Sequence, residues 1–325
     1  MPNIPFDKIQ AFAEFQNSAL ETFALQYNNN TIYRRFCELL DKRPEKIQEL
    51  SAIPFMPISF FKEHKIITAR DNVQTVFTSS GTTGSATSKH YVTDTALYET
   101  SFKKSFAQHY GEIEQYTVLA LLPSYLERTG SSLIYMVDHF IKSSKKPQSG
   151  FYLSNLDELA NILTKLDKNG ERVLLIGVSF ALLDLVENYD FDLKNTVVME
   201  TGGMKGRRRE MIREELHGVL QKGFGVAKIH SEYGMTELLS QAYSKGDGIF
   251  TTPPWMHIQI RDTEDALSGV DFGKTGGINV IDLANSNSCS FIATQDLGRK
   301  LDDQKFEVLG RFDESDIRGC NLMVL

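Results

Sequence analysis

The chain has 325 residues, a length that suggests about two domains. Hydrophobic residues make up 41% and charged residues 24%, which supports a packed core and excludes a disordered or fibrous chain. A net charge of −7 weighs against nucleic acid as a partner, since such binders carry a basic surface.

Cys37, Cys289 and Cys320 are widely spaced and form no CxxC. That excludes a cysteine-rich zinc site and a disulfide scaffold, and it fits a reducing compartment. The opening MPNIPFDKIQAF has no apolar signal-peptide core. The longest apolar stretch, Val173 to Val186, contains Asp184 and is too short for a bilayer. These features predict a soluble, cytoplasmic protein without a membrane span.

In chain order, Phe6, Ile9, Phe12, Phe15 and Leu20 recur at helical spacing and predict a helix over 6–29. A second helix follows, with Thr31 as N-cap. Pro54 and Pro57 forbid a continuous helix over 47–66 and make that stretch an ordered connector. From Gln74, short apolar runs end in small polar residues and mostly give way to helical patterns. Strands are predicted at 75–78, 116–122, 173–178, 196–199 and 227–230. Helices follow in LIYMVDHFIK, ALLDLVENY, RRREMIREELHGVL and LLSQAY. Strand, loop and helix in repetition predict an α/β fold with parallel strands, whose ligands lie beyond the strands' carboxyl ends. After about residue 250, WMHIQIRD, GGINVIDL, CSFIATQDLG and KFEVLGRFD predict a β-rich subdomain. The expected domains are an N-terminal helical segment (1–70), an α/β nucleotide-binding core (71–250), the β-rich part (251–310) and a tail (311–325).

TSSGTTGSATSKH (78–90) is the most informative segment. Its glycines permit tight turns and close approach by a ligand, and its hydroxyls and N–H groups suit phosphate oxygens. It is not a Walker A loop, because Lys89 lies between Ser88 and His90 rather than in GK[ST]. Taken alone, the cluster is equally well a surface loop.

The segment resembles the phosphate-binding signature of the adenylate-forming superfamily of acyl-CoA synthetases, firefly luciferase and peptide-synthetase adenylation domains. TGGMKG (201–206), SEYGMTE (231–237), TQDLGRK (294–300) and GRFDESDIRG (310–319) resemble its further motifs, in the same order. The resemblance implies ATP and Mg²⁺. It implies that Ser79, Ser80, Gly81, Thr82, Thr83, Gly84 and Lys89 hold the β- and γ-phosphates. Thr236 meets the α-phosphate and Glu237 ligates the metal. Tyr233, flanked by Glu232 and Gly234, stacks on adenine opposite Gly202, Gly203 and Met204, while Asp296 and Arg311 bind the ribose. Structural alternatives stay open. Glu237 suits a helix N-terminus, Tyr233 suits a packed aromatic, and Asp296 with Arg311 suits an ion pair. His139 reads as a satisfied histidine, Arg207–Arg209 as a solvated helix face, and Cys37 and Cys289 as buried.

IPFMPISFFK, TGGMKGRRREM and RGCNLMVL resemble, more closely, the acyl-protein synthetases of bacterial bioluminescence. That resemblance implies the large adenylate-forming domain, with the small C-terminal domain absent or reduced to a short tail. It implies that a carboxylic, fatty acid is activated as acyl-AMP and passed to Cys320. From there the acyl group goes to an acceptor protein, either a reductase or an acyl carrier protein. A ligase acting on coenzyme A or an amine is the alternative, and a non-catalytic adenylate-binding scaffold is the second.

Overall fold

The computed structural model describes residues 5–68, 72–79, 87–123, 130–202 and 211–312. The chain divides into two compact units, one built from residues 74–253 and the other from the two flanking stretches.

In the central unit, the strands Gly150–Phe151, Thr117–Leu121, Val173–Gly177, Thr196–Thr201 and His230–Tyr233 lie side by side in that order, all parallel. Every residue of Thr117–Leu121 and Val173–Gly177 is buried, as expected for strands covered on both faces. The sheet continues antiparallel through Ala242–Ser244 and Ile249–Thr251.

The helices Thr95–Tyr110, Ser132–Ser144 and Leu156–Lys168 begin at Asp94, Ser131 and Asn155, whose side chains accept backbone N–H bonds. Ser179–Asn188 and Arg213–Phe224 complete the set. The last two approach closely at Gly223, where a Cβ would fall 2.4 Å from the Cβ of Val186. Thr75–Thr78 and Lys89–Val92 form a separate antiparallel hairpin, with Thr78 opposite Lys89.

In the flanking unit, Met256–Arg261, Thr275–Asp282, Phe291–Lys300 and Lys305–Arg311 form an antiparallel sheet. Met56–Pro57 joins it in parallel with Phe291–Lys300. The helices Phe12–Asn29 and Thr31–Leu39 pack here, with Phe23 and Tyr33 against Phe291. The buried Gln26 amide donates to the Asn285 and Ser286 carbonyls and accepts from the Ser290 N–H. The N-terminal segment and the β-rich part therefore share one unit.

The elements correct four local expectations. The first helix starts at Phe12, after a short turn of 3₁₀ helix at Phe6–Lys8, and the Glu14 carboxylate accepts the Gln10 and Ala11 N–H groups there. Asn30, not Thr31, caps the second helix by accepting the Tyr33 N–H. The fifth parallel strand is His230–Tyr233 rather than 227–230. LLSQAY is not a helix. Leu238 closes a turn onto Met235, and Ala242–Ser244 pairs with the preceding strand, so long-range pairing overrides a short helical pattern. No helix among the described residues is long and apolar enough to cross a membrane.

Candidate active site

Thr196–Thr201 and His230–Tyr233 end side by side, with Thr201 in register with Glu232. Their carboxyl ends bring Thr201, Gly202 and the EYGMTE segment to neighbouring positions, where parallel sheets take ligands. Gly202 turns with φ +69°, a conformation that glycine adopts without strain. Its carbonyl accepts from the Ser179 hydroxyl at 2.8 Å.

Beneath this turn, Glu200 is buried. Its carboxylate lies 3.4 Å from the Ser179 hydroxyl, 3.6 Å from Nε2 of His217 and 3.9 Å from Nε of Arg213. Sequence reasoning missed these four residues. They come from two helices and a strand, and only Arg213 and His217, four apart on one helix, share a local spacing.

The Glu232 carboxylate accepts from the Thr201 hydroxyl at 2.6 Å. The residue keeps some exposure, but its carboxyl is deep. Burial pushes its pKa up to about 7, helped by nearby Glu200 and opposed by the Thr201 bond. Its other oxygen would be 2.4 Å from a Cβ at Gly234, so a side chain there would displace the carboxylate.

Tyr233 is buried edge-on against Phe250, with ring centroids 6.0 Å apart. Glu237 is also buried, while Thr236 is partly exposed. The Thr236 carbonyl accepts from Nδ1 of His90 at 2.9 Å.

Lys89 is exposed at the start of its strand. Ser79 continues the hairpin by bonding Ser88 through its N–H and its hydroxyl. Ser80, Gly81, Thr82, Thr83, Gly84, Gly203, Met204 and Cys320 lie outside the described residues.

In the flanking unit, Asp296 and Arg311 are direct partners across an antiparallel pair, 3.3 Å apart at their charged ends. His139 lies 3.4 Å from Glu99, between the rings of Phe102 and Tyr135. Burial pushes the Cys37 and Cys289 thiols up to about 12.

No group of three or more His, Cys, Asp or Glu among the described residues forms a metal cage. Magnesium needs none, because one or two carboxylates and substrate phosphates suffice, and the buried carboxylate of Glu237 fits that donor set.

Comparison with known proteins bears on the family and the fold. The acyl-protein synthetase LuxE family matches over residues 7–101. The long-chain-fatty-acid–luciferin-component ligase of Vibrio harveyi is 22% identical over 92% of this chain and 84% of its own length. Among solved structures, an open 2-hydroxyisobutyryl-CoA ligase, in complex with 2-HIB-AMP and CoA, superposes with a TM-score of 0.64. It is 13% identical over 95% of this chain and 78% of that one. ATP-bound MatB from Rhodopseudomonas palustris gives 0.56 at 16% identity over 75% of this chain, which spans about half of MatB's length (49%). The chain thus has the fold of the adenylate-forming acyl-CoA ligases, and its sequence is similar to the acyl-protein synthetases.

Proposed function

We propose that the protein is an ATP-dependent ligase that activates a long-chain fatty acid as acyl-AMP and passes the acyl group to a thiol. The observation that carries this reading is the parallel register of Thr201 with Glu232, which sets Gly202 and the EYGMTE segment off adjacent strand ends.

In the first step a carboxylate oxygen attacks the α-phosphorus of ATP. The bond to the bridging oxygen breaks, and pyrophosphate leaves with that electron pair. Both reactants are anions, so positioning and charge neutralisation supply most of the catalysis. The loop 79–84 and Lys89 hold the outer phosphates. The Thr236 hydroxyl donates to the α-phosphate. Gly202, Gly203, Met204 and Tyr233 frame the base, and Asp296 and Arg311 take the ribose. Glu237 would hold Mg²⁺, which neutralises phosphate charge when bound.

In the second step the Cys320 thiolate attacks the acyl carbon and AMP leaves. A thiolate is a strong nucleophile, and a tethered one acts at about millimolar effective concentration. An acceptor protein, a reductase or an acyl carrier protein, then takes the acyl group.

Intact-mass analysis after incubation with ATP, Mg²⁺ and a mixture of fatty acids tests both steps. One acyl adduct per chain, dependent on ATP, is expected. An unmodified mass together with no ATP–pyrophosphate exchange on any acid overturns the reading. Exchange without an adduct favours coenzyme A or an amine as acceptor.

A further inference from the structure

Lys89 and His90 begin the strand that leaves the glycine-rich loop. His90 is fully buried, and its Nδ1 meets the Thr236 carbonyl 146 residues further along the chain. A carbonyl only accepts, so Nδ1 carries the proton.

The turn bearing Thr236 and Glu237 is anchored again just beyond. The Ser101 and Ser240 hydroxyls lie 3.0 Å apart, and the Ser105 hydroxyl donates to the Gln241 carbonyl at 3.0 Å. Both Ser101 and Ser105 stand on Thr95–Tyr110, the helix that follows the strand of His90. The strand and the helix, consecutive in the chain, thus both hydrogen-bond to this turn and the residues just beyond it. His90 supplies the contact that lies at Thr236 itself.

We propose that His90 is a positioning residue for the adenylation step. Its Nδ1–H holds the Thr236 carbonyl and so fixes the Thr236 hydroxyl and the Glu237 carboxylate relative to the strand leaving the phosphate loop. The inference rests on the activation chemistry proposed above. A displacement of about 1 Å in such a site costs on the order of 10²-fold in rate, so a buried bond of this kind acts on turnover more than on binding.

The test compares ATP–pyrophosphate exchange, with a long-chain fatty acid, in the unaltered protein, His90→Asn and His90→Gln. The Asn amide puts an N–H where Nδ1 stood, and the Gln amide puts it one bond further out. His90→Asn is expected to keep kcat within about threefold. His90→Gln is expected to lose about tenfold in kcat, with KM for the fatty acid unchanged. Equal losses, an unimpaired His90→Gln, or losses that merely follow the melting temperatures overturn the inference.

If the unaltered protein exchanges with no acid, the function reading fails on its own. The inference about His90 is then decided by its tautomer. Nitrogen-15 NMR of His90 in the unaltered protein needs no variant, and a ring protonated only at Nε2 also overturns it.

Discussion

Asp296 and Arg311 face each other across two antiparallel strands, with Nε of the arginine 3.3 Å from the aspartate oxygen. The arginine side chain is 74% exposed and the aspartate 14%, so water screens one end of the pair. Such a pair contributes under about 1 kcal/mol to stability. Asp296→Ala should therefore leave the melting temperature nearly unchanged. It should raise KM for ATP by about tenfold if the carboxylate accepts ribose hydroxyls. The variant should also stop distinguishing ATP from 2′,3′-dideoxy-ATP. Retained discrimination would remove Asp296 from the ribose site.

Glu237→Gln keeps shape and removes charge. Loss of a preorganised electrostatic group at a phosphoryl-transfer centre costs on the order of 10²–10³ in kcat. ATP–pyrophosphate exchange should fall by that factor and recover in part with excess Mg²⁺. Thr236→Val should lower kcat without changing the metal dependence. Exchange at the full rate in Glu237→Gln would falsify the metal assignment.

The raised pKa of Glu232 has a sign in stability. The folded carboxyl titrates at about 7, against a reference of 4.5, because burial disfavours its charge. The folded state therefore binds the proton more tightly than the unfolded chain. The resulting stabilisation is full below about pH 4.5 and is lost as pH rises to about 7. Its size is up to about 3 kcal/mol, less whatever the partly exposed carboxylate retains from water. Glu232→Gln should remove this slope. In urea denaturation from pH 5 to 8, the stability of the variant relative to the unaltered protein should rise with pH. A flat difference would contradict the assignment.

Cys37 and Cys289 are buried thiols with pKa near 12, so almost no thiolate exists at neutral pH. Native alkylation with iodoacetamide should spare both and modify both after denaturation. Cys320→Ser should abolish acyl labelling from radioactive fatty acid while sparing pyrophosphate exchange. Labelling that survives in Cys320→Ser would move the acyl group elsewhere.

The strands were legible in sequence because those buried on both faces, such as Val173–Gly177, are unbroken apolar runs. The TGG and EYGMTE motifs were read from the family resemblance rather than from periodicity, and Thr201 and Glu232 pair in register near the ends of their strands. LLSQAY misled because its leucines are buried by a turn and a strand, and periodicity over six residues does not separate these from a helix. The Glu200 group was invisible. Ser179, Arg213 and His217 reach it from two helices, so only tertiary structure brings them together. The link from His90 to Thr236 spans 146 residues and was equally beyond any local pattern.

The bonds from Gln26 to Asn285, Ser286 and Ser290 carry a consequence for biosynthesis. The unit they stabilise is interrupted by residues 74–253, so its first half is translated well before its second. At ribosomal rates of 5–20 residues per second, the gap is roughly 10–40 s. During that interval Phe23 and Tyr33 lack Phe291, and Phe15 lacks His257, to cover them. Nascent chains should therefore engage chaperones most strongly while the middle of the message is being read.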